Sequence, residues 1–410
     1  MPSYRTAPCP ACTHHVAVDF FEGGKQPLST LGWPASADEA RSMPRHALDF
    51  VRCVDCGHVF NISFDYSDVP YSRKPNRMFN SGKIWSGFIA DTQERILQDL
   101  PDAPTVVEIG YGDGSFLDAL SRIAEAGRFV GFDPHGATVP EGAIEGRKEL
   151  FEPSVHLGDL CPDLLISRHV LEHLHNPLGF LQEMSFAAAL EDMAPLAYFE
   201  VPCIDNAINA GRTVDFYYEH SSQFTTRSFT TMLSRAGVEI IEIGHGYDGE
   251  VVFGLVRFGN IESHQSIAGE AEAFRVTTNT ARSTIGEQLE DLYASGRRVA
   301  IWGGIGKSAA FMCRYGVDSD RFPIVVDSDP TKADTCVPGT GQTIRFRDYL
   351  LEHPVEVLII PPQWRAADIL EEIRECGIEV GEILIEHQGN LVNFITGSHI
   401  YALERTDSEH

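Results

Sequence analysis

Two pairs of cysteines near the start of the chain have the spacing of metal ligands. Within each pair two residues separate the cysteines, so both thiolates can point at one ion from a single turn. Two such pairs complete a closed tetrahedral sulfur site, which predicts a structural zinc ion. The four predicted ligands are Cys9, Cys12, Cys53 and Cys56. His14, His15 and His58 are alternative ligands, and four unrelated buried thiols are the alternative interpretation.

A second group of reactive side chains lies in residues 215–225, which read DFYYEHSSQFT. This segment places a phenol, a carboxylate and an imidazole close together, in Tyr217, Glu219 and His220. An imidazole titrates near neutral pH and can remove a proton from a substrate. A carboxylate can orient the imidazole, and a phenol can donate a hydrogen bond to a developing oxyanion. The segment is therefore a candidate for acid–base chemistry, with an aromatic-rich surface loop as the alternative.

A glycine-rich turn lies between a predicted strand and a predicted helix. Its members are Glu108, Gly110, Gly112 and Gly114. Glycines let the backbone approach a ligand closely, and open α/β sheets bind ligands at the carboxyl ends of their strands. Asp133 closes the next predicted strand, and its two carboxylate oxygens suit a diol. The spacing differs from that of a dinucleotide fingerprint.

Strands and helices alternate around these residues, which predicts a mostly parallel, doubly wound sheet. The predicted strands are 105–109, 129–132, 164–167, 197–201, 239–243 and 251–258, with helices at 114–126 and 177–189. A polar linker is predicted at 262–272. A helix at 284–295 then begins a smaller α/β domain, whose strands are predicted at 299–302, 323–326, 355–360 and 382–385. We therefore predict three domains, 1–80, 81–260 and 261–405.

Composition narrows the class of protein. The chain has 410 residues, which is too long for one typical core, and a formal net charge of −27. This charge, without a basic stripe, argues against a nucleic-acid partner. No apolar run is long enough for a transmembrane helix, and no apolar signal core precedes Cys9. We expect a cytoplasmic monomer or homodimer that acts on a small molecule.

Taken together, the motifs resemble those of a known enzyme family. The glycine turn resembles motif I of class I methyltransferases. The whole chain resembles the three-domain sugar C-methyltransferases of antibiotic and capsule pathways, through the paired cysteines, the glycine turn, HVLEH at 169–173, EVP at 200–202 and GGIGK at 303–307. The resemblance implies an α/β fold with a class I methyltransferase doubly wound sheet, an N-terminal zinc-binding domain and a C-terminal Rossmann-like substrate-binding domain.

The resemblance also implies a cofactor. This cofactor is S-adenosylmethionine, bound by the glycine turn, with the ribose hydroxyls on Asp133. His169 is expected to contact the cofactor or to be a packed structural histidine.

The substrate implied by the family is a nucleotide-linked 4-keto deoxysugar. His220 would deprotonate the carbon beside the ketone, and the enolate carbon would attack the methyl group. Tyr217 and Glu219 would support His220, and His173 would be a further active-site residue. Tyr71 and Lys307 are the implied substrate contacts.

Departures from the family pattern leave alternatives open. Tyr218 replaces the first histidine of the family's Y-H-E-H segment, so O- or N-methylation of another small molecule is the alternative function. HVLEH also fits the metal motif H-x-x-E-H, which would suit a metal hydrolase. We disfavour this hypothesis because the motif follows a strand and has no further ligand nearby in sequence. An NAD(P)-dependent enzyme is disfavoured by the absence of G-x-G-x-x-G.

Overall fold

A computed structural model describes residues 3–31, 33–69, 82–137, 144–259 and 262–401. The chain clusters into two compact units, residues 1–265 and residues 266–410. The three-domain division at residues 80 and 260 stays a prediction, and by contacts residues 1–265 form one unit. Tyr71, an expected substrate contact, lies outside the described residues.

The first unit contains two sheets. Its strands in chain order are β1 (Tyr4–Thr6), β2 (Val16–Gln26), β3 (His46–Cys53), β4 (Val59–Asn61), β5 (Thr105–Ile109), β6 (Arg128–Phe132), β7 (Ile144–Arg147), β8 (Leu164–Arg168), β9 (Leu196–Pro202), β10 (Ser222–Gln223), β11 (Glu239–Gly246) and β12 (Val251–Arg257). Its helices are α1 (Ala37–Ser42), α2 (Lys83–Leu97), α3 (Ser115–Ile123), α4 (Pro153–Leu160), α5 (Pro177–Leu190), α6 (Asp205–Ala210) and α7 (Thr226–Arg235). Short 3₁₀ turns lie at Tyr66–Asp68, Leu171–His173 and Tyr247–Gly249.

The larger sheet has the order β11-β12-β9-β8-β5-β6-β7. Its strands are parallel except β12, which runs antiparallel to both of its neighbours. The central strands are apolar and buried on both faces, as parallel strands covered by helices must be. The strand order reverses direction at β5, so the ligand crevice is expected at the carboxyl ends of β5 and β8. The predicted doubly wound sheet is confirmed.

The smaller sheet of the first unit is antiparallel, in the order β1-β2-β3-β4-β10. Its last strand, β10, pairs with β4 and follows His220 directly. A buried cluster on this sheet includes Phe50 and Leu31 and also takes in Phe216 and Tyr218. The N-terminal sheet therefore holds the segment 215–225 from both ends.

The second unit is a separate α/β sheet in the order β15-β14-β13-β16-β17-β18. Its strands are β13 (Val299–Trp302), β14 (Ile324–Asp327), β15 (Ile344–Phe346), β16 (Val355–Ile359), β17 (Val380–His387) and β18 (Asn390–Asn393). Its helices are α9 (Lys307–Tyr315), α10 (Tyr349–Glu352) and α11 (Ala366–Glu375), and α8 (Glu262–Ala294) leads into it. Short 3₁₀ turns lie at Pro330–Lys332 and Gln363–Arg365.

The boundary between the two units, after residue 265, lies within the linker predicted at 262–272, but this segment is helical, because α8 begins at Glu262 and continues to Ala294. The segment is rich in glutamate, glutamine and alanine, which favour helix. Its polarity therefore indicated an exposed helix face rather than an irregular chain. No helix among the described residues combines the length and apolar character needed to cross a membrane.

Candidate functional site

The four paired cysteines meet in one buried cluster. The Sγ atoms of Cys9 and Cys56 lie 3.7 Å apart, and those of Cys12 and Cys53 lie 3.6 Å apart. All four sulfur atoms lie within 4.8 Å of one another. A tetrahedral zinc ion with Zn–S bonds of about 2.3 Å requires sulfur atoms about 3.8 Å apart. The cluster therefore suits the predicted zinc ion, and the alternative of scattered thiols does not fit this geometry.

Helix α7, which packs on the larger sheet, forms hydrogen bonds with the segments that contain the cysteine cluster. Arg235 donates hydrogen bonds to the carbonyl of Cys12 and, at 2.7 Å, to the carboxylate of Asp55. His58, an alternative ligand, is fully buried, and its Nε2 instead lies 3.2 Å from the hydroxyl of Ser222 in β10. The cluster thus stabilises the sheet that carries the segment 215–225.

The glycine turn after β5 is shaped by close backbone approach. Gly110 has a φ of 80°, and a Cβ on it would lie 2.4 Å from a methyl group of Val170. The backbone N–H groups of Gly112 and His135 donate hydrogen bonds of 3.1 and 2.7 Å to the carboxylate of Asp133. Asp133 therefore holds the turn in place, and each of its oxygens keeps a lone pair for a ligand. Gly114 caps α3 with a φ of 78°.

A cavity of about 780 Å³ opens at the carboxyl ends of the central strands, as ligand crevices in such sheets do. Its wall includes most of the predicted cofactor and active-site residues, namely Glu108, Gly110, Gly112, Asp133, His169, His173 and His220. Burial raises the pKa of Glu108 to about 8, so its carboxyl group is protonated at neutral pH. Sequence reasoning missed Trp85 and Tyr247, whose rings pack edge-to-face at 5.2 Å in the same wall.

His220 is held by two aromatic neighbours. The hydroxyl of Tyr217 lies 2.7 Å from Nε2 of His220 and forms a hydrogen bond with it. The ring of His173 packs edge-to-face against His220, with centroids 4.7 Å apart. Burial, helped by the nearby His173 and His169, lowers the pKa of His220 well below its usual value. The imidazole is therefore neutral at physiological pH and able to accept a proton.

Glu219 and Tyr218 face the N-terminal sheet. The fully buried carboxylate of Glu219 accepts hydrogen bonds of 2.7 and 3.1 Å from the backbone N–H groups of Thr30 and Leu31. The backbone carbonyl of Glu219 accepts a hydrogen bond of 2.8 Å from Nδ1 of His173. Tyr218, which replaces the family's first histidine, accepts a hydrogen bond of 2.9 Å from the backbone N–H of Asp65. The side chains of Glu219 and Tyr218 thus hold the segment 215–225 in position.

A buried charge network lies beside the cavity, and sequence reasoning missed its central residue, Glu200. This carboxylate lies 3.0 Å from both Arg168 and His169 and accepts a hydrogen bond of 2.8 Å from the hydroxyl of Tyr198. Burial opposes its charge, but Arg168 and His169 outweigh burial and lower the pKa of Glu200 to about 2. One sequence feature could have identified Glu200, namely a glutamate inside an otherwise apolar strand. A buried carboxylate in such a strand requires charged or hydrogen-bonding partners.

His169 is cationic within this network. Burial disfavours its charge, but Glu172 at 3.5 Å and Glu200 outweigh burial and raise the pKa of His169 to about 9. Its backbone has a φ of 54°, a region that few residues other than glycine adopt. The ring lines the cavity, so the predicted contact with a cofactor stays a prediction.

The second unit contains a glycine turn with the same backbone hydrogen bond to an aspartate, but with a lysine beside that aspartate. The backbone N–H of Gly304 donates a hydrogen bond of 3.2 Å to the carboxylate of Asp327, as Gly112 does to Asp133. In this unit Lys332 lies 3.0 Å from Asp327 and neutralises it. The ammonium group of Lys307, an expected substrate contact, lies 3.8 Å from the centre of the Trp364 ring, and its substrate role stays a prediction.

Comparison with known proteins gives a match for each of the two α/β sheets. A family profile described as "Methyltransferase domain" matches residues 83–243, and one described as "C-methyltransferase C-terminal domain" matches residues 262–386. The C-methyltransferase NovU of Streptomyces niveus is 23% identical over 397 residues, which cover 90% of this chain and 92% of that protein. The similarity to NovU therefore extends over nearly the whole chain.

Solved structures resemble the chain in part. A SAM dependent methyltransferase from Aquifex aeolicus aligns with a TM-score of 0.30 and 16% identity, over 44% of this chain and 100% of that one. LepI in complex with SAM aligns with a TM-score of 0.32 and 17% identity, over 45% of this chain and 50% of that one.

Replacing one cysteine of the cluster tests the zinc site. In Cys53→Ser we expect the zinc that survives dialysis to fall from about one ion per chain to near zero, because three thiolates and a hydroxyl bind zinc far more weakly than four thiolates. The melting temperature should fall with it. Metal analysis and thermal unfolding measure both effects. The matched control is Cys161→Ser, an exposed cysteine outside the cluster, and equal zinc in the two variants would contradict the site.

The raised pKa of His169 makes stability depend on pH. A folded pKa of about 9, against 6.5 in the unfolded chain, contributes stability that is complete below pH 6.5 and lost as the pH rises to about 9. The contribution is on the order of 3 kcal/mol at most. We therefore expect the free energy of unfolding, measured by denaturant titration, to fall more steeply over this window in the wild type than in His169→Gln. Glu108 affects both proteins alike, so equal slopes would exclude a charged His169.

Proposed function

We propose that this S-adenosylmethionine-dependent methyltransferase, a member of the C-methyltransferase family, methylates a carbon atom of a nucleotide-linked 4-keto deoxysugar. The family and enzyme class expected from the sequence are confirmed by the two domain matches and by the similarity to NovU. The observation that carries the proposal is a neutral, oriented imidazole, His220, in the wall of the cavity that also contains the glycine turn. Carbon methylation needs such a base, because a C–H bond must first lose its proton.

The first unit supplies the cofactor site in this proposal. The backbone of the turn from Gly110 to Gly112 would hold the cofactor, and Asp133 would accept hydrogen bonds from its ribose hydroxyls. Among the described residues no cation forms an ion pair with Asp133, so its lone pairs stay available to a diol. S-Adenosylmethionine bound there supplies an electrophilic methyl group. His173 and His220 line the same cavity as the glycine turn.

His220 acts as the general base. In the reactive tautomer the proton of the imidazole is on Nε2, which donates a hydrogen bond to the Tyr217 oxygen. Nδ1 then has the free lone pair and takes the proton from the carbon beside the ketone. The carbon–hydrogen electron pair would move into the enolate, and S-adenosylmethionine held at the glycine turn would supply the methyl group to this carbon as its sulfur–methyl bond breaks and S-adenosylhomocysteine leaves. Because burial lowers the pKa of His220, the base is ready at neutral pH, and its protonated form readily returns the proton to solvent. Tyr217 fixes the ring, which raises the effective concentration of the base.

His173 and Glu219 position this base. The carbonyl of Glu219 fixes the tautomer and orientation of His173, whose ring packs against His220. The carboxylate of Glu219 anchors the segment to the backbone of Thr30 and Leu31. We therefore assign Glu219 a positioning role rather than direct contact with the substrate.

Methylation of oxygen or nitrogen in another small molecule is the alternative function, favoured by Tyr218 in place of the family's histidine. That side chain bonds to the N-terminal sheet, with Asp68 at 3.0 Å as well as Asp65, so the replacement lies outside the cavity wall. The two functions differ in one measurable step. Only a C-methyltransferase exchanges a carbon-bound proton of its substrate with solvent when the cofactor is absent.

Removing the Asp133 carboxylate tests the cofactor site. We expect Asp133→Ala to weaken the binding of S-adenosylhomocysteine at least tenfold, about 1.4 kcal/mol, because the ribose loses its acceptor and the turn loses two hydrogen bonds. Isothermal titration measures the dissociation constant. The control is Asp118→Ala, which removes a carboxylate on the surface of α3. Equal affinity in the two variants would place the ribose elsewhere.

Removing the base and its hydroxyl partner tests the mechanism. With a 4-keto sugar nucleotide in D₂O, we expect His220→Gln to slow both proton exchange and methyl transfer about 10²–10⁴-fold. Tyr217→Phe should slow both about tenfold to a hundredfold, because the imidazole loses its orientation. Exchange is followed by NMR without cofactor, and transfer by mass spectrometry.

The adjacent tyrosine provides the matched control for this experiment. Tyr218→Phe removes a hydroxyl that bonds to the backbone of Asp65 and not to His220, so it should lower the melting temperature and slow exchange in the folded enzyme far less than Tyr217→Phe does. Methyl transfer to oxygen or nitrogen without carbon exchange would establish the alternative function. Equal exchange rates in His220→Gln and the wild type would remove His220 as the base.

A further inference from the structure

Three side chains with metal-binding atoms meet in the wall of the cavity, apart from the cysteine cluster. They are Glu172, His173 and His220, and one ligand atom from each lies within 4.8 Å of the other two. Glu172 and His173 belong to the 3₁₀ turn after β8, whereas His220 comes from the segment held by the N-terminal sheet. His220 therefore joins only the last two residues of the HVLEH motif, while the first histidine of the motif, His169, is paired with Glu200.

Glu172 has the surroundings of a ligand rather than of a structural carboxylate. It is 1% exposed, and within the described residues neither of its carboxylate oxygens accepts a hydrogen bond. Its ion-pair partner is His169, whose Nδ1 lies 3.5 Å from Oε1, and Oε2 has no hydrogen-bond partner among the described residues. A buried carboxylate without donors is costly, and an ion in the cavity would satisfy it.

The two histidines are already oriented as metal ligands usually are. A ligating histidine generally donates its other ring N–H to an oxygen, which fixes the ring and raises its basicity. Nδ1 of His173 donates to the carbonyl of Glu219 at 2.8 Å, which makes Nε2 its ligand atom. Nε2 of His220 pairs with the hydroxyl of Tyr217 at 2.7 Å, which makes Nδ1 its ligand atom.

We propose that Glu172, His173 and His220 form a second metal site, which binds a divalent ion of the zinc class. Two imidazoles and one carboxylate are the ligand set of open zinc sites, in which a fourth position faces the cavity. Imidazole nitrogen also selects zinc, cobalt and similar ions over magnesium and calcium.

A consequence for catalysis rests on the proposed function. The ion takes the lone pair of His220 that would otherwise accept the substrate proton. Metal binding and methyl transfer are then mutually exclusive, and free zinc inhibits the enzyme reversibly.

The site is tested by adding cobalt to the full chain with zinc retained in the cysteine cluster. We expect one further equivalent of Co²⁺ to bind, measured by titration calorimetry, with weak visible bands typical of nitrogen and oxygen ligands. Thiolate ligands would instead give strong near-ultraviolet bands, so the two sites are distinguishable. Glu172→Gln should weaken this binding at least tenfold. No further equivalent in the wild type would overturn the proposal.

Glu250→Gln is the matched control, because this carboxylate lines the same cavity but is paired with Arg212 at 2.5 Å. It should bind Co²⁺ as the wild type does, and an equal loss in both variants would overturn the proposed ligand set. If Glu172→Gln does not fold, proton NMR of the wild type alone tests the site. Bound Co²⁺ should shift two exchangeable imidazole N–H signals in the proton NMR spectrum, one from each histidine, and their absence would overturn the site.

Activity separates this proposal from the proposed function. Zinc should inhibit carbon-proton exchange in the wild type and inhibit Glu172→Gln at least tenfold less strongly, relative to the activity of each enzyme without metal. If Co²⁺ binds at these residues while no 4-keto sugar nucleotide is turned over, the metal site stands and the substrate assignment fails. If turnover occurs and no second ion binds, the substrate assignment stands and the metal site fails.

Discussion

The position of the candidate active site depends on one buried residue, Glu219. Its carboxylate accepts hydrogen bonds from the backbone of Thr30 and Leu31, while its backbone carbonyl accepts one from His173. A single residue therefore links the N-terminal sheet to the cavity wall that follows β8. A buried carboxylate that loses its donors keeps the full cost of desolvation, so this link strongly favours one arrangement of the segment. The same segment is fixed again by Tyr218, whose hydroxyl bonds to the N-terminal sheet's own loop. The N-terminal sheet and its cysteine cluster thus support the segment that contains His220, even though the four cysteines lie outside the cavity wall.

The charges buried beside the cavity are balanced within the protein. Glu200 is paired with Arg168 and His169, and His169 also faces Glu172. Glu108 has no such balance; burial raises its pKa to about 8, so it is neutral at physiological pH. Removing one member of these three ion pairs would leave a buried charge poorly compensated, which is strongly unfavourable. The wall is consequently polar before any ligand binds, and preorganised dipoles of this kind cost no rearrangement during a reaction.

Sequence patterns within a short segment predicted the central strands, the cysteine pairs and the glycine turn. Contacts between segments far apart in the chain could not be predicted in this way. The strand Thr105–Ile109 is confirmed at both ends, because a buried parallel strand reads as a continuous apolar run. The cysteine spacing and the glycine turn are likewise local, and each part of the turn was placed correctly beside a strand end. The meeting of Glu172 with His220 is different, since the two lie far apart in the chain and are joined only by the packing of one sheet on the other. The helical conformation of the linker was not predicted, because polarity reports exposure and does not distinguish a solvated helix from a loop.

The second unit shows why a fold alone does not locate a cofactor. Its first two strands carry the same hydrogen bond as the first unit, from a glycine N–H to the aspartate that ends the next strand. In the second unit Lys332 forms an ion pair with Asp327 at 3.0 Å, whereas in the described part of the chain Asp133 meets only backbone donors. An ammonium group held by the carboxylate competes with a ribose diol for the same lone pairs, and the charged donor forms the stronger bond. The two turns are therefore alike in backbone and different in what they can bind. This difference favours the first unit over the second as the site of the proposed cofactor.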